Sequence, residues 1–312
     1  MKAVFGHIPQ PSPGDIPLPT TLQALEFALW ILWYTGMHNS KKSVAAIQLA
    51  SGSNVSANLL ESTRLTEAAV KQGAQMVVLP ENFAFIGRNC KDTNALREVP
   101  NDGPLQSFLS QLAKRLGIWL VGGTIPLEAD HAAKWRAACT VYDEEGRQVG
   151  RYDKQHLFDV NLVESDEQFV ESETIEAGDR VLVLNSPVGR LGIAVCYDLR
   201  FPELFRAMVD RGVEVIALPA AFTAITGRAH WETLVRARAI ENLAYVIAAA
   251  QGGFHVASRE TYGHSVIVDP WGTKMAERER GNGCVVAKID PEFQQTTRRN
   301  FPCLDHRRLH CR

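Results

Sequence analysis

Short apolar runs that alternate with longer helical patterns constrain this 312-residue chain more than anything else in its sequence. Residues 44–50, 76–80 and 118–122 are compact, β-prone and apolar, whereas in 56–72 and 105–116 apolar residues return every three or four positions. The first pattern suits a buried strand and the second an amphipathic helix. Each element must bury its apolar face against another, so the alternation predicts helices layered on a sheet. Ser56 is a candidate N-cap for the first helix, and Gly117 a stop for the second. Residues 137–143 and 148–152 read as a hairpin around Glu144-Glu145-Gly146-Arg147. Further strands are expected at 181–184, 191–195, 213–218, 245–250, 265–268 and 284–289, with helices at 203–211 and 230–243. The late hairpins argue against a wholly parallel sheet, and no glycine-rich phosphate-binding motif is present. Residues 154–178 read as a long polar loop, a length that in compact domains goes with function or disorder.

Charge and cysteine usage exclude several classes. The net charge is −2 and no long Lys/Arg block occurs, so neither nucleic acid nor a membrane is an expected partner. Six scattered cysteines form no CxxC pair and no Cys/His spacing, so no metal site is expected and a reducing, cytoplasmic compartment fits best. The apolar run 27–37 is shorter than the ~20 residues a helical span needs and makes a poor signal peptide. Residues 1–42 therefore read as an appendage, disordered or loosely docked, with Met37 as an alternative start. Residues 43–305 read as the main domain and 306–312 as a tail.

Three polar residues stand at the ends of apolar runs. Glu81 follows Val-Val-Leu-Pro, Lys154 ends the hairpin, and Cys196 ends Leu-Gly-Ile-Ala-Val. Pro202 and Glu203 mark a helix start just beyond the cysteine. Singly, each has an ordinary reading: a solvated carboxylate, a surface lysine, a buried thiol. Together they supply a nucleophile, a base that can return its proton as an acid, and a cation for an oxyanion. That set suffices for acyl transfer from an amide with no cofactor. Two influences on the thiol oppose each other: the helix end favours thiolate, while Asp198 and Glu81 disfavour it.

The surrounding motifs are Leu79-Pro80-Glu81-Asn82, Tyr152-Asp153-Lys154-Gln155-His156-Leu157-Phe158-Asp159 and Val195-Cys196-Tyr197-Asp198-Leu199-Arg200-Phe201-Pro202-Glu203. In this order they resemble the nitrilase superfamily of carbon–nitrogen hydrolases, and the resemblance runs from about residue 44 to 305. It implies an α/β fold, a four-layer αββα sandwich, and a homodimer or higher homo-oligomer packed through the helices at 203–211 and 230–243. It implies Glu81 as general base and acid, Lys154 as oxyanion partner, Cys196 as the acylated nucleophile and the Tyr197 backbone N–H as a second oxyanion donor. It also implies a further glutamate after the lysine. Glu171 is the best match, with Glu164, Glu167 and Glu173 as neighbours in register. Phe222 to Trp231 and Tyr262-Gly263-His264-Ser265 resemble the Nit-type branch, nearest the deaminated glutathione amidases, with ω-amidase action on α-ketoglutaramate, or another small-molecule amidase or nitrilase of the superfamily, as the alternative. The expected partner is thus a small amide bearing a carboxylate. Arg200, Arg228 and His230 are candidates to bind it. Arg200 has the equal alternative of pairing with Glu203 or Glu241.

Overall fold

The computed structural model describes residues 42–88, 90–162 and 167–309. The expectations for residues 1–41 and for Glu164 lie outside these residues. Strand β1 (Lys42–Gln48) carries the logic of the fold. Successive side chains of a strand point to opposite faces. Accordingly Val44 and Ala46 join one apolar core, while Ala45 and Ile47 join another. Both faces of the strand are covered, which is why it reads as a continuous apolar run.

The first sheet has seven strands. Its order is β17 (Gly283–Ile289), β1, β2 (Met76–Val78), β3 (Trp119–Val121), β5 (Trp135–Tyr142) and β4 (Ile125–Glu128), with β6 (Gln148–Asp153) also on β5. β1, β2 and β3 are parallel and the remaining pairings antiparallel. The second sheet has six strands, in the order β16 (Lys274–Arg278), β15 (Ser265–Val268), β12 (Tyr245–Ala250), β11 (Val215–Ala220), β10 (Gly189–Ile193) and β9 (Val183–Ser186). β12 packs face to face on β1. Helices α1 (Val55–Lys71) and α2 (Pro104–Leu116) cover the first sheet through Leu65, Ala69, Leu109 and Leu112. Helices α3 (Pro202–Val209) and α4 (Ala224–Asn242) join the second sheet's core through Phe205, Met208, Trp231 and Val235. The layers therefore run helix, sheet, sheet, helix. A last helix, α5 (Pro291–Asn300), is capped by Asp290, which accepts from the Phe293 N–H at 3.1 Å.

Several local expectations are corrected. The N-cap of α1 is Asn54, whose side chain accepts from the Ala57 N–H at 3.0 Å, and Ser56 lies inside the helix. Helix α4 begins at Ala224, six residues before the expected 230, with Thr223 as cap. Gly227 hid that first turn. It is there because a Cβ would overlap the side chain of Tyr262, not because the helix stops. The 154–178 loop contains an antiparallel pair, β7 (Asp159–Leu162) and β8 (Glu167–Val170), with Val160 opposite Phe169. A 3₁₀ turn, Glu171–Glu173, follows it. Strands of four residues with polar neighbours are too short to show a period. The same holds for β4, and β16 was likewise not anticipated.

Candidate active site

Glu81 lies just past β2 and is 4% exposed. Its backbone is held from the ends of β1 and β12. Gln251 Nε2 donates to the Glu81 carbonyl at 3.0 Å and to Ser51 Oγ at 2.8 Å. The Ser51 N–H donates back to Gln251 Oε1 at 3.0 Å, and its hydroxyl donates to the Phe83 carbonyl at 2.8 Å. Asn82 then turns the chain away in the left-handed region, with φ 55°.

Lys154 lies just past β6 and is 1% exposed. Its N–H donates to the Ala137 carbonyl at 3.0 Å, extending the ladder by one residue. Its ammonium donates to Glu81 Oε1 at 2.8 Å and to Glu171 Oε1 at 3.0 Å. The other oxygen of Glu171 accepts from the Phe158 N–H at 2.8 Å. Burial pulls the Lys154 pKa down, but Glu171 and Glu81 outweigh it and hold the ammonium well above its ordinary value. It stays charged across the neutral range. The 3₁₀ turn places Glu171, rather than Glu173, on the lysine.

Cys196 follows β10 and adopts φ 48°, a strained setting for a residue with a Cβ. Asp198, fully buried, explains how this turn is held. It accepts four hydrogen bonds: from the Val195 N–H at 2.8 Å, the Tyr152 hydroxyl at 2.7 Å, the His156 N–H at 3.0 Å and His156 Nδ1 at 2.7 Å. Tyr152 and His156 flank Lys154, so one carboxylate ties the cysteine turn to the lysine turn. Arg238 adds two donors to the Leu199 carbonyl, at 3.0 and 2.8 Å.

Burial and the Glu81 carboxylate raise the Cys196 pKa well above that of an ordinary thiol. Lys154 and the Ala221 N–H, 3.5 Å from Sγ, oppose the shift without reversing it. The expected lowering by a helix end does not prevail, because Cys196–Arg200 is a 3₁₀ turn and α3 starts only at Pro202. Asp198 is occupied by its four donors. The balance favours the neutral thiol over the thiolate.

Cys196, Tyr197, Glu81 and Glu171 line one cavity, of about 50 Å³, walled by Phe85, Trp135, Phe158, Phe169 and Phe222 and reached by Arg259. Arg200, Arg228 and His230 are not on that wall. Arg200 sits behind it, its guanidinium 5.8 Å from the Tyr197 ring and 5.3 Å from the Phe222 ring, with Nη1 3.3 Å from His230 Nδ1. Glu241 is taken by Arg238 at 2.8 Å. Arg228 and His230 line a separate, wider depression beside Asn161 and Leu162. Sequence reasoning missed Ser51 and Arg259, and saw Asp198 only as a charge. Only Asp198 carried a usable signal, two residues from the thiol in a polar turn.

This sandwich, with a buried Glu–Lys–Glu row and a strained cysteine on one cavity, is the fold and site of a carbon–nitrogen hydrolase. The chain matches the carbon–nitrogen hydrolase family over residues 43–299 and belongs to it. It is a hydrolase of carbon–nitrogen bonds other than peptide bonds. A curated relative, the deaminated glutathione amidase of Yersinia enterocolitica, is 41% identical over 86% of this chain and 93% of its own length. The human protein of that name is 38% identical over 85% of this chain and 82% of its own. Among solved structures, Saccharomyces cerevisiae Nit3, described as a member of branch 10 of the nitrilase superfamily, superposes with a TM-score of 0.78 at 32% identity, covering 88% of this chain and 98% of that one. The C. elegans NitFhit protein gives 0.77 at 36% identity, covering 86% and 66%. No helix among the described residues is long and apolar enough to cross a membrane.

Proposed function

We propose that this chain is a deaminated glutathione amidase that works through an acyl-thioester on Cys196. The observation that carries the proposal is the Lys154 ammonium held between Glu81 and Glu171, in the cavity wall that also presents the buried Cys196 thiol. Glu81 takes the Sγ proton as sulfur attacks the amide carbonyl. Lys154 and the Tyr197 backbone N–H stabilise the oxyanion. Protonated Glu81 then gives its proton to the departing amine, and the acyl group remains on sulfur. Water, deprotonated by Glu81, attacks the thioester and frees the carboxylic acid and the thiol. Glu171 holds Lys154 in place and keeps it charged. Replacing Cys196 by Ala and assaying amine release from deaminated glutathione tests the scheme. Turnover should vanish, and undiminished turnover would sink it.

A second reading is ω-amidase action on α-ketoglutaramate, a smaller amide with the same acyl group. The ratio of kcat/KM on the two substrates decides between them. We also propose a homodimer through α3 and α4, supported by the exposed Ile240 on α4 near Gly272, with exposed Trp271 against Phe301 beyond it. Light scattering of the eluted protein tests it, and a monomeric mass would refute it. A cytoplasmic setting fits Cys139, Cys196, Cys284 and Cys303, which are free thiols. Residues 1–42 as an appendage and 43–305 as the hydrolase domain complete the proposal. Limited proteolysis checks it, since a first cut inside 43–305 would contradict it.

A further inference from the structure

The cavity wall carries two buried donors with no acceptor. Arg259 Nε has no hydrogen-bond partner among the described residues, and neither has Trp135 Nε1. Buried donors are nearly always paired, so each exception calls for an explanation. Both residues line the cavity that holds Cys196. Among the described residues on that wall, Arg259 is the one cation. Its guanidinium lies over the Phe169 ring, 5.4 Å from the centroid.

The loop that presents Arg259 is built for the task. It joins β13 (Gly252–Phe254) to β14 (Glu260–Tyr262), and Ala257 and Ser258, immediately before the arginine, both adopt left-handed φ of 58° and 62°. Non-glycine residues hold such angles only where the surroundings impose them, often at ligand sites. His255 supplies the anchor. Its Nδ1 is 2.7 Å from the Ser51 carbonyl and its Nε2 is 2.6 Å from Thr261 Oγ1. Burial lowers the pKa of this ring, so it is neutral. A carbonyl only accepts, so Nδ1 carries the proton and Nε2 accepts from the threonine. The loop is thereby fixed to Ser51, which Gln251 links to the Glu81 backbone.

We infer that Arg259 is the specificity residue of this site and binds a carboxylate on the acyl part of the amide. The inference rests on the amidase reading above and narrows it to amides whose acyl chain carries a carboxylate. A planar guanidinium stacked on a ring presents a fixed fork that matches a carboxylate. The unpaired Trp135 N–H adds a donor, so an acceptor-rich ligand fits both.

The test uses α-ketoglutaramate and its methyl ester, which differ in the charge of one carboxyl group, and reads ammonia release. Wild type should prefer the acid by about 100-fold in kcat/KM. Arg259→Met should collapse that ratio towards one, mainly through KM, and Arg259→Lys should keep an intermediate ratio. A wild-type ratio in Arg259→Met, or an equal loss on both substrates, overturns the inference and leaves the amidase reading standing. If wild type releases ammonia from neither substrate, the same comparison is made with deaminated glutathione and its α-keto-acid methyl ester, read as amine release, and absence of turnover there too defeats the amidase reading, and this inference with it.

Discussion

The reacting end of the cavity and its recognition end are held by opposite means. Around Cys196, Glu81 and Lys154 the charged groups are paired, although Gln155 Nε2 beside Lys154 is not: Asp198 accepts four hydrogen bonds, Gln251 joins Ser51 to Glu81, and Lys154 spans two carboxylates. Around Arg259 and Trp135, buried donors go unpaired. A saturated network fixes geometry before substrate arrives, which is what electrostatic catalysis needs. Unpaired donors retain their interaction for a ligand to complete, which is what discrimination needs. On the proposed roles, one cavity separates rigidity for chemistry from unmet bonding capacity for choice.

The contrast can be broken from its strong side first. Cys196→Ala should lower kcat by at least about 10³-fold with the fold intact by circular dichroism, since members of a nucleophile–base unit act together. A smaller loss would place the chemistry elsewhere. Asp198→Asn should come next. It replaces an acceptor of four bonds with a group carrying its own donors. Urea unfolding should show a loss of about 2–4 kcal/mol. A wild-type midpoint would mean that the turn does not depend on this carboxylate.

The pH dependence of stability sharpens the same side. Cys196 has a folded pKa raised above its unfolded value, and so does buried Cys139. Their contribution is complete below the unfolded thiol value and is lost as pH rises past it. Stability should therefore fall above roughly pH 9. Cys196→Ala should flatten that slope by up to about 1.4 kcal/mol per pH unit, one proton's share. Identical slopes in chemical denaturation would contradict a protonated resting thiol. The weak side is probed by Arg259, where the effect falls on a ratio of substrates rather than on the rate of a good one.

Legibility in the sequence follows the same division. Glu81, Lys154 and Cys196 could be read because each stands just past the end of a strand, where the sheet holds the backbone and the side chain is free to enter a site. Glu171 could be matched to a motif, but three neighbouring glutamates shared its surroundings, and only the 3₁₀ turn distinguishes them. The layered architecture was readable from alternating periods, yet β4, β7, β8 and β16 were not, being too short or too polar to show one. Gln251 meets Glu81 across 170 positions of sequence, and such a contact leaves no local trace. Arg259 looks like any loop arginine until the cavity wall is seen. The carboxylate-binding candidates Arg200, Arg228 and His230 were chosen by proximity to motifs, and the fold turns them to other surfaces.

The most direct test of the central claim is intact-protein mass spectrometry on enzyme quenched during turnover of deaminated glutathione, with Cys196→Ala alongside. The account predicts an α-ketoglutaryl mass increment on wild type that peptide mapping assigns to Cys196, and none on the variant. Turnover with no adduct on Cys196 at any quench time, and with undiminished activity in the variant, would contradict it.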